Sequence, residues 1–116
     1  MIDKNSKNIK INVLGTEYTI YKRTLEEDVK LQNANGYCDS STKEIVVEKI
    51  KEERNTLSNL ESYQEKVLRH EIVHAFLYES GLHCNAWSNN EEIVDWIAIQ
   101  LPKIQQVLES IKKESV

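Results

Sequence analysis

The period of hydrophobicity changes once along this chain, near residue 50, and that change limits the folds open to it. Before it, Ile9, Ile11 and Val13 alternate with Lys10 and Asn12, the period of a half-buried strand. Gly15-Thr16 then fits a two-residue hairpin turn leading into a second strand through Tyr18 and Ile20. Thr24 to Asn33 reads equally as a short helix or a loop, and Asn35-Gly36 marks a turn. Tyr37 to Asp39 and Lys43 to Glu48 read as another pair of short strands.

After residue 50 the period is that of helices. Ser58 and Glu61 have the form of a capping box, which predicts a helix from about Asn59 to Ser80, closed by Gly81 as the residue free to adopt positive φ. A polar link from His83 to Ser88 leads to a second apolar helix, EEIVDWIAIQL. Pro102 then either kinks that helix or starts a third, with Ile104, Val107, Leu108 and Ile111 on one face. Strands first and helices after predict a single α+β domain of 116 residues, with a small antiparallel sheet followed by helices.

Composition narrows the function classes. A formal charge of −4 and scattered lysines carry no electrostatic footprint for nucleic acid or anionic lipid. The N-terminal MIDKNSKNIK is polar, and no apolar run approaches the roughly 18 residues of a membrane span. A cytoplasmic location follows as the expectation, with Cys38 and Cys84 as reduced thiols.

The helix predicted through VLRHEIVHAFLYESGL, Val67 to Leu82, carries two histidines and a glutamate among apolar residues. His70, Glu71 and His74 form HExxH. Residues four apart project from nearly the same helix face, so both imidazoles reach one zinc ion at about 2.0–2.1 Å. Glu71 lies about 100° around the helix from His70, placed to touch a water on the metal rather than the metal itself. An unpartnered glutamate in such surroundings costs several kcal/mol or stays protonated, whereas a nearby metal makes its charge useful. A catalytic zinc also needs a third protein ligand and an open position. The candidates are Glu91, Glu92, His83 and Cys84. Glu91 and Asp95 share a stripe with Val94 and Ala98, which turns both acids toward the first helix: Glu91 as ligand, Asp95 as acceptor for the outer N–H of a zinc-bound histidine, His70 first. Ser88-Asn-Asn-Glu91 and Asn89-Asn-Glu-Glu92 compete as capping boxes. If Asn89 is the cap, Glu92 closes the box and Glu91 is left for the metal.

These residues resemble the gluzincin branch of the zincin metallopeptidases. HEIVHAF with LYESGL is similar to their active-site helix, and Asn90-Glu-Glu-Ile-Val-Asp95 to their NExxxD glutamate helix. The resemblance implies His70, His74 and Glu91 as zinc ligands, Glu71 as catalytic base and Asp95 as the residue behind the ligands. The short length resembles the minigluzincins and the ImmA/IrrE-type and phage-encoded small metallopeptidases, although Val73 stands where ImmA/IrrE-type proteins usually have glycine. It further implies a minimal zincin-like fold, a peptide or protein substrate added antiparallel to Lys43–Glu48 as an edge strand, and a C-terminal helix that covers the cleft in a latent or dimeric form. Larger gluzincins take their oxyanion donor from a subdomain that this length does not accommodate; Tyr78 is the replacement, with Tyr37 and His83 behind it. The metzincin pattern fails, because Leu77 and Ser80 stand where it needs glycine and histidine. Two other function classes stay open: a zinc-stabilised interaction module without turnover, and a packed domain without metal.

Overall fold

The structure is a computed structural model that describes residues 8–49, 57–82 and 90–113. Strands β1 (Ile9–Val13) and β2 (Thr16–Arg23) form an antiparallel hairpin in which Val13 faces Thr16. The turn residues are therefore Leu14 and Gly15, one position earlier than Gly15-Thr16. Both have positive φ, 50° and 94°, the sign pattern of a type I′ turn, whose twist matches that of the flanking strands. Thr24 to Asn33 resolves into a turn and a 3-10 helix, Val29–Gln32, whose Lys30 N–H is capped by the Asp28 side chain.

β3 (Gly36–Asp39) and β4 (Glu44–Glu48) pair antiparallel, and β4 pairs parallel with β2, giving the order β1-β2-β4-β3. The sheet is mixed, not antiparallel throughout. Lys43–Glu48 is also not an edge: β4 is internal, and β3 is the edge. Burial explains the placement, since parallel pairing suits strands covered on both faces, and Ile45, Val46 and Val47 are all buried. Gly36 belongs to the strand rather than to a turn.

α1 (Leu57–Glu79) lies on one face of this sheet, its Val67 and Ala75 joining Val13, Tyr18, Ile20, Ile45 and Val47 in the core. Ser58 is already helical, so it is not the N-cap. At the other end Gly81 takes φ +100°. Its N–H donates to Tyr78 O at 3.0 Å and that of Leu82 to Leu77 O at 3.0 Å, the paired bonds of a Schellman motif. Glu79 ties this end to the sheet: its carboxylate accepts from Tyr18 Oη at 2.7 Å, Thr16 Oγ1 at 3.0 Å and Lys43 Nζ at 2.8 Å.

α2 (Glu91–Lys113) is one continuous helix through Pro102, so the glutamate helix and the C-terminal helix are a single element. Proline offers no N–H to the carbonyl four residues back, that of Ala98. Arg69 on α1 supplies the missing donor, with Nε 2.7 Å from Ala98 O. No helix among the described residues is long and apolar enough to cross a membrane.

Two outcomes follow. Arg69→Met should destabilise the fold by about 1–3 kcal/mol, because it strands a buried acceptor. In a Pro102→Ala background, where residue 102 regains its N–H, the same substitution should cost measurably less in a denaturant double-mutant cycle; equal costs would detach Arg69 from the proline. Separately, the hydrogen bond from Lys43, then that from Tyr18, hold the Glu79 carboxyl below the usual carboxylate range. A carboxyl depressed in the folded state stabilises above its unfolded pKa of about 4.3 and loses that contribution as pH falls through the folded value. Glu79→Gln should thus unfold more easily than wild type at pH 7, and the gap should close below about pH 4.

Candidate metal centre

α1 and α2 run antiparallel, so that Arg69 meets Ala98, His70 meets Asp95, and His74 meets Glu91. Asn90 opens α2: its Oδ1 accepts from the N–H groups of Glu92 at 2.8 Å and Ile93 at 3.2 Å. The cap of the described helix is therefore Asn90; the sequence candidates Ser88 and Asn89 lie outside the described residues. Neither Glu91 nor Glu92 is spent in closing a box at this cap.

Glu91 Oε1 lies 2.8 Å from His70 Nε2 and 3.0 Å from His74 Nε2. The ligand atoms of these three residues all fall within 4.8 Å of one another. Donors around a tetrahedral zinc stand about 3.3 Å apart; both His–Glu distances are slightly shorter than that, so small side-chain shifts would let the three atoms hold the ion. The two imidazole rings are edge-on, centroids 4.9 Å apart. Behind them Asp95 Oδ1 faces His70 Nδ1 at 3.3 Å and Lys66 Nζ at 3.2 Å. Both ring nitrogens of His70 thus face carboxylate oxygens, and the Asp95 contact would keep a proton on Nδ1 while Nε2 serves a ligand.

The two glutamates have opposite surroundings. Glu71 is 7% exposed, and burial, with a smaller push from Glu91, moves its carboxyl up to about 7 against the pull of His70. The Glu91 side chain is 68% exposed. Partial desolvation raises it, but the hydrogen bonds and charges of His74 and His70 together outweigh this and hold it below the usual carboxylate range.

A cleft of about 700 Å³ brings these groups together, lined by His70, Glu71, His74, Glu91 and Asp95 on the helices and by Gly36 to Cys38 on the edge strand. Comparison with family models, curated proteins and solved structures finds no match for this chain. Its site is read from its own residues.

Tyr78 lines the cleft. Tyr37 lines it too, but donates its hydroxyl to Asp28. His83 and Cys84 lie outside the described residues. Glu92 is helical and exposed and is not among the three residues that converge. Among the described residues none of α2 beyond Asp95 lines the cleft, so the C-terminal helix does not cover it within one copy. Two residues escaped the sequence reading. Lys66, one turn before His70, is the cation that meets Asp95. Gly36 lets the edge strand approach, for a Cβ there would sit 2.8 Å from Val67 Cγ1 and 2.9 Å from Val46 O. The signal for Lys66 was its spacing of four from His70; for Gly36 there was none beyond the residue itself.

Zinc titration followed by metal analysis checks the donor set. Wild type should retain one equivalent, His74→Ala should lose it, and Asp95→Asn should bind about 10–100-fold more weakly. Equal zinc in wild type and His74→Ala would remove the site.

Proposed function

We propose that this protein is a zinc-dependent peptidase of minimal gluzincin type. The observation that carries the reading is the meeting of both histidine Nε2 atoms at one Glu91 oxygen, beside a buried Glu71 in a cleft bounded by an edge strand. Zinc held by His70, His74 and Glu91 would supply a Lewis acid that polarises a peptide carbonyl and acidifies water.

The rest falls to the chain itself. Glu71 takes a proton from the attacking water onto its carboxylate and later hands it to the leaving amine. Burial suits that role, because a carboxyl raised toward neutrality both accepts and returns a proton. Asp95 keeps the proton of His70 on Nδ1 and fixes the ring. The outer edge of β3 has no neighbouring strand among the described residues, so its backbone groups are available to an extended peptide laid along the cleft. Tyr78 is the phenol assigned to the developing oxyanion.

A second reading, a zinc-stabilised interaction module without turnover, draws on one observation: Tyr37, another phenol of the cleft wall, is committed to Asp28. Cleavage of a quenched-fluorescent peptide library separates the two. Glu71→Gln should keep its zinc and lose about 10²–10⁴-fold in kcat/KM, and Tyr78→Phe should lose about 10²-fold in kcat with little change in KM. Turnover that survives Glu71→Gln would refute the base assignment. A zinc-loaded wild type that cleaves nothing favours the module.

A further inference from the structure

Val94, Ile97, Leu101, Ile104, Leu108 and Ile111 follow one another at alternating intervals of three and four along the whole of α2. This is the spacing of a seam that packs against another helix. Its beginning is covered inside the molecule: Val94 is buried and Ile97 half-buried. Its continuation is bare. Every described residue from Lys103 to Lys113 is exposed, and Leu101, Ile104, Val107, Leu108 and Ile111 are 45–59% accessible. The cleft makes no use of this face, and nothing else among the described residues covers it.

We infer that this seam pairs with the same seam of a second copy, in an antiparallel two-fold arrangement. The order Leu, Ile, Leu, Ile makes the stripe complementary to its own reverse. With the axis level with Gln106, Leu101 of one copy lies opposite Ile111 of the other, and Ile104 opposite Leu108, so that each layer holds one leucine and one isoleucine. A two-fold contact of this kind is isologous and closes on itself. Parallel pairing instead stacks leucine on leucine and isoleucine on isoleucine, with leucine at the position where parallel dimers favour β-branched residues. The flanks permit the antiparallel contact: Gln100, Gln105 and Val107 are uncharged, and Lys112 comes level with Gln100 of the other copy, not with a second lysine.

The five exposed side chains offer roughly 450 Å² per copy, so the pair buries about 900 Å², the size of a weak and reversible interface. The dimer is therefore concentration-dependent, and none of the seam residues that form it lines the cleft.

Sedimentation velocity over about a hundredfold range of protein concentration tests this. Wild type should shift from monomer toward dimer, while Ile104→Lys/Leu108→Lys, which alters only exposed positions, should stay monomeric with an unchanged circular dichroism spectrum. A second measurement fixes the direction. Under mild oxidation Val107→Cys, near the axis, should give a covalent dimer absent from wild type, and Ile111→Cys should not. A wild type that is monomeric throughout overturns the proposal, as does a double variant that associates like wild type. Cross-linking through position 111 but not 107, or a tetramer, overturns the antiparallel two-fold.

Discussion

α1 packs so near the sheet at Gly36 that even one added carbon would meet both Val67 and the backbone of β4. Because Val67 sits one turn before Glu71 on the same helix, that contact sets how deep the Glu71 carboxyl lies behind the edge strand. At the far end Glu79 joins the helix to β2 and to the turn before β4 through three hydrogen bonds. The helix is thus held at two points about 18 Å apart along its axis, twelve residues at about 1.5 Å each, and the histidines lie between them. A helix free to roll by a third of a turn would carry both imidazoles away from α2; the two anchors oppose that roll.

The second helix is held by a different logic. Pro102 leaves the Ala98 carbonyl without its ordinary partner, and Arg69 takes it. A proline thus becomes a register mark: among the interior carbonyls of a regular helix, only the one four residues before it needs an outside donor. Arg69 precedes His70 by one residue, so the rung that uses it lies next to the rungs on which Asp95 and Glu91 meet the histidines. Packing alone, through small Ala98 and Val94, would allow sliding. The hydrogen bond selects one position.

What was legible in the sequence and what was not divides along the same line. HExxH and the Glu91/Asp95 stripe are local patterns, each confined to one helix, and their phases alone turn the side chains toward one another. Gly81 announces its own φ. Pairing between distant segments is absent from such patterns. The unbroken run Ile45-Val46-Val47 suits a strand covered on both faces but does not name β2 as the neighbour of β4, and nothing around Pro102 names a residue 33 positions earlier as its compensation. The start of α2 failed for another reason: Ser88, Asn89 and Asn90 are chemically near-equivalent caps, and the choice among them depends on where α1 needs Glu91.

That dependence matters for the chemistry. With Asn90 as cap, Glu91 is the first residue of the helix, where the unpaired N–H groups and the helix dipole favour a negative side chain by about 0.3–1 kcal/mol. Glu71 lies mid-helix, without that support, under cover of the sheet. One fold thereby gives two carboxyls of the same type different tendencies, one toward staying ionised beside two imidazoles and one toward gaining a proton. Separated environments of this kind are how a site divides the roles of ligand and proton carrier between like residues. Here the contrast between the two carboxyls traces back to where each helix begins and what lies over its middle.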